Sequence, residues 1–371
     1  MHIERGMHGG RTVVTHHNGA TIVSHGRGGY VQRAYMTRGG RTFVSRTFVS
    51  GGVVHVGVYR SYFFGGVGYY GWYPGFWYHP GFYAWGWNPW PGPVYWGVGA
   101  WGWGGPWWGF YGGWWNPYPS YAAPYFWLTD YLIAQSLQAA YAARAEANAE
   151  AAADASSAPP PADSGAAPAA SGAVTLTPEV KEAIAQEVKA QLAAQQAQAQ
   201  SGGGGAAPAA APQTASASGG DLPPALNPAQ RTFVVDTPVT AVADGQECGL
   251  TSGDVLTRLG DTPDENQTVS VSVAASQKSD CAPGQTVAVK VDDLQEMYNH
   301  FSESLSNGMG ELAKKQGTGG MPAAPDTGTT ASDVPTPQAD PNAAADLSAQ
   351  QQQANQVESQ VKQETAAGGG S

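Results

Sequence analysis

Between Ser61 and Trp127 lie 67 residues without a single Lys, Arg, Asp or Glu, and 30 of them are aromatic. The stretch holds all 13 tryptophans of the chain, 11 of its 17 tyrosines and six of its ten phenylalanines. It cannot be a membrane-spanning helix. A span needs roughly 20 consecutive apolar residues, and Pro74, Pro80, Pro89, Pro91, Pro93, Pro106, Pro117, Pro119 and Pro124 break every such window, each removing a backbone donor and clashing with the preceding turn. Nor is it an ordinary disordered linker, which combines few aromatics with high net charge. Runs such as Gly71–Tyr78 and Trp85–Trp90 read as short extended pieces between Gly and Pro turns.

Each ring can bury about 150–250 Å², and thirty of them exceed what one Gly/Pro-rich stretch of this length can hide. The expectation is an exposed apolar surface used for self-association or for docking to envelope components. Trp72, Trp77, Trp85, Trp87, Trp90, Trp101, Trp103, Trp107, Trp108, Trp114 and Trp115 are its candidate interaction residues. A loosely packed flank on the preceding segment is the plainer alternative. Glycan binding is a third, although binding pockets add placed polar groups and this stretch offers few beyond its tyrosine hydroxyls.

Charge is segregated along the chain. Residues 1–60 carry eight Arg against Glu4 alone, a balance of +7; residues 61–129 are uncharged; the remainder carries 10 basic and 28 acidic residues, a balance of -18. Such a split suits two ends with different partners. With 50 Gly and 27 Pro the chain is read as several parts rather than one core.

Residues 1–66 alternate β-type runs with turn signals, Asn18-Gly19 and the Gly-Gly pairs at 28, 39, 51 and 65, which predicts a basic antiparallel meander. The unit starting Gly39-Gly40-Arg41-Thr42 echoes the one starting Gly9-Gly10-Arg11-Thr12. Arg27–Gly29 and Arg38–Gly40 would suit nucleic-acid contact. The Val/Thr alternation favours a sheet with a solvated Arg face instead, which leaves nucleic-acid binding through this Arg/Gly-rich end as the lesser alternative function. His2, His8, His16, His17, His25 and His55 lack metal-ligand spacing, and neither metal nor cofactor is expected.

The aromatic segment proper runs over 67–127. An amphipathic helix follows over 128–155, with Leu128, Tyr131, Leu132, Leu137 and Tyr141 as its stripe and Thr129 or Asp130 as its cap, and it is expected to fold back on the aromatic segment and cover part of it. A linker over 156–176 leads to a second helix over 177–198, started by Thr177-Pro178 and striped by Val180, Ile184, Val188 and Leu192. Standing between linkers (the next covers 199–221), it is expected to be isolated in the chain, or to pair with another helix in cis or in a second copy.

Residues 222–316 read as a small SH3-like barrel of five strands (Arg231–Asp236, Val239–Ala243, Asp254–Leu259, Thr268–Ala275, Gln285–Val291) with a C-terminal helix capped by Asp292 and stopped at Gly308. Gly249–Leu256 resembles the carboxylate-binding loop of PDZ domains, but the helix those domains carry before the last strand is missing, so no peptide groove is carried over. Cys248 and Cys281, 33 positions apart, fall in this domain. A bridge between them implies an oxidising compartment; two buried thiols are the alternative. The tail, 317–371, is rich in Pro, Ala and Gln and is read as disordered.

No catalytic constellation is present: His300 stands alone on its helix. The layout resembles that of bacterial envelope or secreted proteins joining a Gly/Tyr/Trp-rich segment to a small β domain. It implies a non-enzymatic envelope protein, periplasmic or extracellular, whose partners are itself or other envelope proteins, with cell-wall glycan as the alternative ligand and membrane-surface contact also open. The start, Met1–Gly6, holds no apolar h-region, so the chain is expected to be a mature or truncated form, or to be exported by another route.

Overall fold

The computed structural model describes residues 1–5, 11–25, 28–50, 52–95, 105–155, 175–200, 222–278 and 280–368. The linker readings over 156–174 and 201–221 fall outside these residues. The chain divides into two units, Met1–Ser61 with Val334–Ser371, and Tyr62–Asp333. It is mixed in class and mainly β, with six helices among the described residues.

The meander expected at the N-terminus is present. Strands β1 (His2–Arg5), β2 (Arg11–His17), β3 (Ala20–His25), β4 (Gly28–Arg38), β5 (Arg41–Ser50), β6 (Val53–Phe64) and β7 (Val67–Tyr73) form a seven-stranded sheet in chain order, antiparallel from β1 through β6. Asn18 and Gly19 both take positive φ, 49° and 72°, the two-residue turn that matches strand twist. β6 passes out of the first unit at Ser61, and β7 belongs to the second.

The tail read as disordered carries helix α6 (Ala343–Gly368). Its buried stripe of Ala343, Leu347, Gln350 and Ala354 packs on the first unit's own sheet beside Ala20, Ile22 and Val31. Gln350 Nε2 donates to the Val13 carbonyl at 3.1 Å and the Ile22 carbonyl at 2.8 Å. Arg33 pairs with Asp340 and Asp346, and the Asp340 N–H donates to Thr47 Oγ1 at 2.9 Å. A stripe built from alanine and glutamine has little apolar signal. Its cover is found through polar contacts made at long range.

In the second unit, β8 (Phe76–Tyr78) leads into α1 (Pro80–Trp87), α2 (Pro106–Tyr111), α3 (Pro124–Ala155) and α4 (Pro178–Gln200). Strands β9 (Thr232–Val234), β10 (Val239–Ala243), β11 (Gln246–Leu250), β12 (Val255–Arg258), β13 (Thr268–Ala275) and β14 (Thr286–Lys290) follow, then α5 (Val291–Lys315) and β15 (Thr329–Ala331). The five expected strands are all present. β11 joins them through the Asp244-Gly245 hairpin, giving a six-stranded sheet in the order β11-β10-β14-β13-β12-β9. β15 pairs with β8 as a separate ribbon.

Three local expectations differ from the structure. α5 starts at Val291 with Lys290 as its cap residue, and Asp292 sits in the first turn without capping it; there its charge faces the positive helix end. Gly308 does not stop α5. A Cβ there would lie 2.8 Å from Leu128 Cδ2 and 2.9 Å from Tyr131 Cδ1, so this glycine permits the close crossing of α5 and α3. Nor is α4 isolated; it takes the alternative of packing in cis, with Ile184, Val188 and Leu192 fully buried against a layer that includes α1, α3 and α5.

Candidate functional site

Much of the described aromatic stretch packs into one of the second unit's two hydrophobic clusters, and Tyr69 packs into the other. Of the candidate interaction residues, Trp77, Trp90, Trp107, Trp114 and Trp115 are buried, and Trp72, Trp85, Trp87 and Trp108 are half-buried. Trp101 and Trp103 lie outside the described residues. Rings meet edge-on along Trp107, Trp108 and Trp115, with centroids 5.8 and 5.6 Å apart, the geometry that aromatic quadrupoles favour. Much of the described stretch is thus covered, while part of its apolar surface stays exposed. Cover comes from α3, the adjoining helix expected to fold back on the stretch, and from α4 and α5 of the same unit, which are distant in sequence. The rings left exposed include Phe63, Phe76, Tyr95 at 74 % and Phe110 at 46 %.

Among the described residues, one ion pair lies inside this cluster. Asp130 is the first charged residue after Arg60. It lies on the part of α3 that is almost wholly buried, from Trp127 to Leu137. Its carboxylate is completely covered, and Lys181 on α4, 6 % exposed, brings Nζ to 2.7 Å from Oδ1. Trp115 Nε1 also donates to Oδ1, at 3.2 Å. Oδ2 accepts from the Tyr118 N–H at 2.6 Å and the Tyr121 hydroxyl at 2.9 Å. Lys181 Nζ donates further to the Asn116 carbonyl at 2.8 Å and stands 3.6 Å from the centre of the Tyr118 ring. Burial pushes the Asp130 carboxyl up, against the Lys181 charge and the hydrogen bonds it accepts; burial pushes the Lys181 ammonium down, against the pull of Asp130. Both groups are driven toward their neutral forms, as expected where desolvation outweighs pairing.

Comparison of the chain with protein-family models, with curated proteins and with solved structures finds no match.

Cys248 on β11 and Cys281 in the β13–β14 connection form a disulfide. No helix lies between β13 and β14 among the described residues. Asp254 in the PDZ-like run is buried and accepts from the Thr251 and Gln277 N–H groups at 2.8 and 2.7 Å. It therefore braces its own loop. Desolvation raises its carboxyl to about 6. His300 sits half-buried on α5. Among the described residues no helix is long and apolar enough to cross a membrane, and no three His, Cys, Asp or Glu side chains are grouped to hold a metal.

Sequence reasoning assigned Asp130 only a capping role and passed over Lys181. The available signal was negative: an acid placed next to the one long stretch cleared of charge. Its partner was not legible, because Lys181 neighbours Val180 on α4 without lying on that helix's apolar stripe.

Proposed function

We propose that this chain is a non-enzymatic structural or interaction protein of the bacterial cell envelope. The observation that carries the reading is the Cys248–Cys281 disulfide, because such bonds persist in oxidising compartments. In this reading the disulfide-closed β domain, SH3-like in its strand pattern, is the stable body. The Gly/aromatic stretch contributes to the helical layer and offers outward rings, Tyr95 and Phe110 among them, as the attachment surface for another copy or another envelope component. Exposed rings of this kind suit association.

Fractionation of cells producing the chain tests compartment, and thiol labelling before and after reduction tests the bond. The expected result is recovery with the envelope or the medium, and Cys248 and Cys281 labelled only after reduction. Sedimentation of the full chain beside a Tyr95→Ser, Phe110→Ser double variant tests the surface, and the variant is expected to associate less. Recovery in the cytoplasm with free thiols contradicts the compartment. Unchanged sedimentation contradicts the surface. Retention on cell-wall polysaccharide that the double variant loses replaces self-association with glycan binding.

A further inference from the structure

The Asp130–Lys181 centre holds more than a salt bridge needs. A surface ion pair requires two charges in reach; this one is sealed from water, surrounded by rings, and has every polar atom held in a fixed direction. The two side chains come from different helices, and their nearest atoms are 2.7 Å apart. On one carboxyl oxygen, Oδ2, a backbone N–H and a phenol O–H converge at 2.6 and 2.9 Å. The other oxygen, Oδ1, faces the amine. We infer that Asp130 and Lys181 are the reactive pair of an intramolecular isopeptide bond that joins α3 covalently to α4.

The chemistry closes with the groups present. A proton passes from the Lys181 ammonium to Oδ1 along their contact, leaving a neutral amine against a carboxylic acid. This is the direction in which burial biases both groups. The Nζ lone pair then attacks Asp130 Cγ. The C–N bond forms, and negative charge gathers on Oδ2, where the Tyr118 N–H and Tyr121 O–H stand as oxyanion donors fixed in advance. The Cγ–Oδ1 bond breaks as Oδ1 takes a second proton from Nζ and leaves as water. One water is lost and nothing is oxidised or reduced. The Asn116 carbonyl, 2.8 Å from Nζ, is placed to accept the remaining amide N–H. Holding the two groups in contact supplies the proximity that free amine and acid lack, and the sealed core keeps water from reversing the reaction. The product is a covalent loop through residues 130–181, suited to a protein that works outside the cell.

Intact mass measured on the denatured full chain is the test. The expected mass is lower than that of the sequence by one water, beyond the two hydrogens of the disulfide. Trypsin is expected to leave Lys181 uncut and to yield one branched peptide linking residues 61–144 to residues 145–189. Lys181→Met and Asp130→Ala are each expected to abolish the loss of water. A wild-type chain with no loss of water, or one cut quantitatively after Lys181, overturns the inference whatever the variants do.

Discussion

Trp115→Ala is expected to destabilise the second unit by about 3–5 kcal/mol, the usual cost of emptying a fully buried indole site. Trp115 is completely buried, meets the Trp108 ring edge-on at 5.6 Å, and donates Nε1–H to Asp130. Its loss leaves a cavity in a close-packed core, which sets the size of the effect. Tyr95→Ser, at a ring 74 % exposed, is expected to change stability by no more than about 0.5 kcal/mol. Hydrogen exchange resolved to peptides within residues 105–155 checks the pair. Similar effects from the two substitutions would mean that the segment has no inside and outside.

Stability of the second unit is expected to fall as pH rises from about 4.5 to about 7, with Glu187 as the main cause. Glu187 on α4 is buried. Desolvation lifts its carboxyl from 4.5 to about 7, against hydrogen bonds from Gln191 and from the Thr232 and Arg231 backbone and against the nearby Arg258 charge. The folded chain thus holds this proton more tightly than the unfolded chain does. The contribution is fully present below pH 4.5 and is lost as pH rises through 7, a span of ~3 kcal/mol. Asp254, lifted from 3.8 to about 6 by burial, acts with the same sign lower in the range. Glu187→Gln is expected to remove the fall between pH 6 and 7 and leave the Asp254 contribution. Urea unfolding midpoints measured across this window decide it, and an unchanged slope in the variant excludes Glu187 as the source.

What the sequence made legible is local. Asn18-Gly19 and Asp244-Gly245 mark hairpins because both residues of each pair adopt positive φ, and few other dipeptides do so cheaply. The stripe of α4 is readable from its four-residue spacing, and five of the six strands β9–β14 from their short β-type runs between turn signals. What the stripes pack against was not readable, because pairing across a hundred residues leaves no periodic mark. Gly308 shows the ambiguity of a single residue: glycine ends helices, and it also lets two helices approach, and only the Leu128 and Tyr131 contacts tell which applies. Gln350 covers part of a sheet by hydrogen bonds that hydrophobic pattern ignores. The aromatic stretch announces in its composition that its rings exceed what it can hide alone. Cover by α3 is legible from its adjacency and stripe, whereas cover by α4 and α5 depends on residues up to Leu312.

Iodide quenching of tryptophan fluorescence, measured on the full chain at a dilution where sedimentation shows a monomer, asks whether the rings are covered by their own chain. Self-cover requires blue-shifted emission and weak quenching that rises sharply on unfolding in denaturant. Strong quenching in the folded monomer, close to that of the unfolded chain, would show that the indoles meet water until a partner arrives, and would contradict an aromatic core built in cis.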